Sequence, residues 1–113
     1  IYLDAIMQYD KSEFEKSMQL FNEIQDYQNA KEYLNKIEII QKLHGTWKTQ
    51  DSAIILVFDG LNVTFELDEG EYYYVNTTYR VSENKINLSI SPPFNSFILE
   101  DDLLKVGLLS ISK

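Results

Sequence analysis

The chain has 113 residues, 44% of them hydrophobic and 25% charged, with a net charge of −8 and no cysteine. That is a globular composition, long enough for one domain or two very small ones. Disulfides and thiolate metal sites are excluded, and no apolar run approaches the ~20 residues of a membrane-spanning helix.

The charge is spread over both halves. Residues 1–44 carry 5 lysines against 8 carboxylates, net −3; residues 45–113 carry 4 lysines and 1 arginine against 10 carboxylates, net −5. Neither half has a basic face to neutralise phosphates, so nucleic acid and anionic membrane surfaces are poor partners.

Residues 1–9 place Tyr2, Ala5, Ile6 and Tyr9 at helical spacing. Ser12 and Glu15 form an S-x-x-E capping box, which predicts a second helix from about Glu13. Its apolar positions are Phe14, Met18, Phe21 and Ile24, with Leu20 beside them. Asp26 can cap a third helix from Tyr27, whose stripe is Tyr27, Ala30, Leu34, Ile37 and Ile40, widened by Ile39 and Leu43. Lys42, His44 and Gly45 end it, by dipole complementarity and by a left-handed C′ position.

Phe14-x-x-Ser17 and Tyr27-x-x-Ala30 repeat an aromatic-x-x-small pattern that lets neighbouring helices approach. In that context residues 1–43 resemble a degenerate tetratricopeptide-like repeat. The resemblance implies further repeats upstream. Ile1 also opens in a helical pattern without methionine or cap, so the chain is expected to be a piece of a longer one.

At His44-Gly45-Thr46-Trp47-Lys48 the hydrophobic period changes from helical to two. The predicted strands are seven: 45–50, 53–58, 61–67, 71–81, 86–90, one around Phe97 and Leu99, and 103–111. Asp59-Gly60 marks a hairpin, and Asp68-Glu69-Gly70, Ser82-Glu83-Asn84-Lys85 and Asp101-Asp102 mark further turns. On the long strand, Tyr73, Val75, Thr77, Tyr79 and Val81 are expected inside; Tyr72, Tyr74, Asn76, Thr78 and Arg80 lie outside. Pro92-Pro93 ends the fifth strand. The last strand has an ambiguous register, with Leu104, Val106 and Leu108 on one face and Leu103, Leu109 and Ile111 on the other. Gly107 is read as a bulge.

The fold class expected is therefore α+β: a three-helix segment over 1–43, then a seven-stranded antiparallel meander over 44–113 that closes to remove its edges. Gly45-Thr46-Trp47 at the head of the first strand resembles the G-x-W signature of lipocalins and related calycin barrels. So do the tyrosine strand 79–81, the Glu83-Asn84-Lys85-Ile86 turn and the closing Asp-Asp-Leu-Leu. The resemblance implies a small lipocalin-like domain of a bacterial, cell-envelope type, extracytoplasmic or at the cell surface. It makes Gly45 and Trp47 the structural anchor, with Trp47 plugging one end of the barrel. Where the family has an arginine over this tryptophan, the last strand offers Lys105 and Lys113.

No catalytic, metal or cofactor motif stands out. His44 is the only histidine and has no cysteine to join it; its place near a helix C-terminus accounts for it. The clusters Asp68-Glu69-Glu71 and Glu100-Asp101-Asp102 match no EF-hand and read as turn charges. Tyr72, Tyr74 and Arg80 form the candidate partner surface, since exposed tyrosines with arginine have hot-spot composition; the plainer alternative packs them against the helices. The expected function is a non-enzymatic interaction or structural module, without cofactor. Its partner would be a protein or upstream repeats of the same chain. The alternative is a small apolar ligand held in the barrel.

Overall fold

A computed structural model describes all residues 1–113. The chain forms two compact units, Ile1–Lys42 and Leu43–Lys113.

The first unit contains α1 (Tyr2–Asp10), α2 (Phe14–Glu23) and most of α3 (Ala30–Leu43). Ala5, Phe21, Ala30 and Ile37 are fully buried and form its core. Tyr2, Ile6, Tyr9, Phe14, Met18, Leu20, Ile24, Tyr33 and Leu34 pack around them. The small residues of the aromatic-x-x-small pattern are inside: Ser17 and Ala30 have no exposed surface. Ser17 Oγ donates to Ala5 O at 2.8 Å, so a buried hydroxyl is satisfied where α1 and α2 meet.

Two helix starts differ from expectation. Ser12 does not cap α2: the N-cap is Glu13 and no side chain bonds there. Ser12 instead takes a positive φ of 63° and its N–H donates to Tyr9 O. The Glu13 N–H donates to Gln8 O, so both residues close the end of α1. The third helix begins at Ala30, not Tyr27, because Gln28 has φ 47° and the chain turns there. Tyr27 is consequently 51% exposed.

The aromatic rings of this unit make its chemistry pH-sensitive. Tyr9 meets Phe14 and Tyr33 edge-on at 5.9 and 5.2 Å. Burial pushes the Tyr9 phenol up to about 12, with Tyr33 and Asp10 adding to it. Burial also raises Tyr33, followed by Tyr2, Asp10 and Glu32. Folding therefore favours the neutral phenols. Their contribution is whole below the ordinary tyrosine value of 10 and is lost as pH rises towards 12. Helical circular dichroism should fall in that window, together with the rise of tyrosinate absorbance. Helix content that persists after every tyrosine has ionised would rule the coupling out.

The second unit is an antiparallel meander of eight strands, in sheet order β1 to β8. They are β1 (Gly45–Lys48), β2 (Ile54–Asp59), β3 (Asn62–Glu69), β4 (Glu71–Ser82), β5 (Lys85–Leu88), β6 (Ser96–Glu100), β7 (Leu103–Val106) and β8 (Leu109–Ile111). Lys48 and Ser112 exchange backbone hydrogen bonds of 2.8 and 3.2 Å, joining the first strand to the end of the last. The barrel is thus nearly closed.

Alternation decides the inside. Trp47, Ile54, Leu56, Phe58, Val63, Phe65, Tyr79, Val81, Ile86, Leu88, Phe97, Leu104 and Ile111 are buried. The inward set expected on the long strand is right in register, since Val75 pairs with buried Phe65 and Thr77 with buried Val63.

The strand count is eight, not seven. Gly107 and Leu108 form a two-residue turn between β7 and β8, with Gly107 at φ 57° and Leu108 fully exposed. A turn reverses the chain where a bulge would only bend it. This removes the register ambiguity: Leu104 and Ile111 pair across the hairpin and are both buried. At Asp101-Asp102 both residues have positive φ, 51° and 66°, as a type I′ hairpin turn requires. The first strand ends at Lys48, and Asp51 fastens the next turn by accepting from Thr49 Oγ1 at 2.8 Å and Ala53 N at 3.1 Å. Those bonds, Thr49's first, hold the Asp51 carboxyl below its usual value. No helix is long and apolar enough to cross a membrane.

Candidate functional site

The site grows from a mismatch of strand lengths. β4 has 12 residues and β5 has 4. Residues Glu71 to Thr78 pair with β3, while only Tyr79 to Ser82 pair with β5. The first half of β4 therefore has a strand on one side only. β5 stops at Leu88, so Ile90, expected in the strand, lies outside the ladder.

Segment 89–95 swings away and returns, held at its ends by Ser89 N to Thr78 O at 3.0 Å and Leu88 N to Asn95 O at 2.7 Å. Its Phe94 ring comes back over the barrel mouth, 5.6 Å from the Phe65 ring. Tyr73, from the unaccompanied half of β4, meets Phe65 edge-on at 6.0 Å. Between them opens a cleft of about 350 Å³, lined by Phe65, Leu67, Tyr73 and Ile90 together with Ser91, Pro92, Pro93 and Phe94. Tyr73 is 48% exposed there although it points to the inner face.

The outer face of the same half-strand carries Tyr72 and Tyr74, 61% and 56% exposed. Their cross-strand neighbours are Asp68 and Glu66. The Tyr72 hydroxyl donates to Glu66 Oε1, its diagonal neighbour. That bond to the carboxylate is the main reason the Tyr72 phenol is held above its usual value. Tyr72 stays a protonated donor, with its ring face open to solvent.

Arg80 does not join this patch. It shares the face of Tyr74 but lies six residues further along β4, roughly 20 Å away, opposite Asn87. The structure thus brings together Tyr72 and Tyr74 with two carboxylates, and leaves Arg80 exposed on the far half of the strand.

Gly45 and Trp47 lie at the head of β1. Trp47 is buried and donates from Nε1 to Leu43 O at 2.7 Å, capping a free carbonyl at the end of α3. Lys113 Nζ sits 5.5 Å from the Trp47 ring centroid. Lys113, then, and not Lys105, is the cation over the tryptophan; Lys105 pairs instead with Glu100 at 3.7 Å. Gly45 has φ 121°, a conformation that side chains rarely adopt, and the Lys113 chain passes 3.7 Å from where a Cβ would stand. His44 is exposed.

Sequence reasoning missed the cleft. Its one legible signal was an eleven-residue strand expected over 71–81 beside a five-residue one over 86–90, followed by Pro-Pro-Phe. No known family model, curated protein or solved structure matches this chain.

Proposed function

We propose that the chain is a non-enzymatic protein-interaction module within a larger protein of the bacterial cell envelope. On this reading a tetratricopeptide-like helical segment leads into a small lipocalin-like barrel, and the barrel presents the first half of β4 to a partner. One observation carries it: Tyr72 and Tyr74 stand exposed side by side on one face, beside Glu66 and Asp68. Tyrosine offers a large rigid surface with few rotatable bonds, which is what hot spots use.

The test is selection of random displayed peptides on the unaltered chain, followed by affinity measurement on a Tyr72→Ala/Tyr74→Ala double variant. Selected peptides should lose at least roughly 30-fold in affinity, the loss of about 2 kcal/mol that a single hot-spot residue carries. Peptides indifferent to both tyrosines would place the binding elsewhere and end this reading.

The second reading, a small apolar ligand, is favoured by the cleft itself. Its volume of about 350 Å³ reaches the lower range of small-molecule sites, and six of its eight lining residues are apolar or aromatic besides Tyr73. Saturable binding of dodecanoate that Leu67→Glu abolishes, with the tyrosine double variant unaffected, would select this reading over the first.

A further inference from the structure

We propose that an extended peptide alternating apolar and basic residues adds antiparallel, as one more strand, to the free edge of β4. The inference rests on the interaction reading above and specifies its mode and partner chemistry.

The backbone parity defines the edge. Asp68 donates its N–H to Ala53 O, on the β2 side, and Tyr79 donates to Leu61 O, on the β3 side. In an antiparallel ladder both polar groups of a residue point the same way, alternating along the strand. The odd residues of β4 therefore bond to β3, and Tyr72, Tyr74 and Asn76 direct N–H and C=O away from it. The backbone pairing of the next chain segment with β4 reaches only as far as Thr78, through Ser89. Three donors and three acceptors thus stand unpaired at the two-residue spacing, about 7 Å, that an incoming strand matches. Main-chain pairing of this kind gives affinity, and the pockets beside it give sequence preference.

The two faces of the edge ask for different side chains. Inside lie Phe65, Leu67, Tyr73 and Phe94 around the cleft, suited to an apolar residue. Outside lie Tyr72, Tyr74, Glu66 and Asp68, whose carboxylates and ring faces suit lysine or arginine. Residues 49–79 contain six carboxylates and no lysine or arginine, so nothing within this stretch neutralises the field. A second copy of the chain fits poorly, because pairing β4 edge to edge brings no lysine or arginine to this face and only adds a second acidic patch about 14 Å from the first.

The experiment uses fluorescence anisotropy of a labelled peptide, Val-Lys-Val-Lys-Val-Lys-Val, with the unaltered protein. In an antiparallel addition the lysines, facing outward, are the residues whose N–H groups bond to β4. N-methylation of the lysines should therefore weaken binding at least roughly tenfold, and N-methylation of the valines should leave it within about twofold. Replacing lysine by glutamate should abolish binding. Asn76→Pro removes one edge donor without touching the β3 ladder and should also weaken it; a thermal melt of that variant reports its fold. Equal tolerance of both N-methylated peptides, or of glutamate, overturns the proposal. So does a dimer in sedimentation that the peptide fails to dissociate. If this peptide fails while display-selected peptides still depend on Tyr72 and Tyr74, strand addition is wrong and the interaction reading stands. If no peptide of either kind binds, both fall.

Discussion

Replacing Trp47 by alanine is expected to destabilise the barrel by about 3–5 kcal/mol, the cost of deleting a fully buried large aromatic. The indole is 1% exposed and is the largest of the fully buried side chains. Its neighbours sit on a hydrogen-bonded, nearly closed eight-stranded sheet whose register holds their backbones in place, so they collapse into the void only partly. The substitution also removes the donor to Leu43 O, which adds about 1 kcal/mol if no water replaces it. Lys113 contributes much less: it is exposed, and an exposed cation over a ring is worth about 0.5–1 kcal/mol. Lys113→Met should therefore cost under about a third of the tryptophan loss, which separates plugging from electrostatics. Urea titration followed by circular dichroism measures both. Domains of this size have stabilities near the low end of about 5–15 kcal/mol, so the Trp47 variant should sit close to its unfolding midpoint in water. A loss under about 1 kcal/mol would show that the indole does not anchor the barrel.

The parts of the fold that were legible in the sequence are those governed by local rules. Period-two alternation placed Val63, Phe65, Tyr79 and Val81 inside correctly, because a strand with one wet face has no other register. The helical stripes likewise found Ala5, Phe21 and Ile37. The errors arose where one residue type supports two local structures. Ser12 can cap the helix that follows or close the one that precedes, and the short turn between α1 and α2 decided for the second. Gly107 can bulge or turn; the choice depends on whether Leu104 and Ile111 both reach the core, which is a tertiary question. The cleft has no local sequence signature. Pattern reading treats each strand separately, whereas the cleft comes from unequal strands side by side and from Phe94 folding back onto Phe65. For the same reason Tyr73, inward by parity, was expected to be core and proves to be half open. Tyr72 and Tyr74 were readable from alternation alone, but their separation from Arg80 follows from distance along the strand.

Phe21→Ala should remove most of the stability of the helical unit. Four fully buried hydrophobic residues make up that core, and two of them are alanines. Phe21 and Ile37 are thus its only large, fully buried side chains. The Phe21 ring stacks on Tyr33 at 4.9 Å with the planes 7° apart, and meets Tyr2 edge-on at 6.0 Å. Deleting a buried phenylalanine costs about 3–5 kcal/mol, and each such ring pair is worth about 0.5–1.5 kcal/mol beyond the buried area. A core in so short a unit rarely supplies more than about 3–5 kcal/mol in total, so the loss is comparable to everything available. Ile37→Val, which removes one methyl group, should cost only about 0.5–1.5 kcal/mol and leave the helices formed. Phe21→Leu keeps most of the volume but loses the rings' contacts, and belongs between the two. The ordering alanine, leucine, valine in falling cost is measured by the thermal midpoint of helical circular dichroism. If Phe21→Ala shifted that midpoint no more than Ile37→Val does, the stability of the helices would have to come from outside this aromatic cluster.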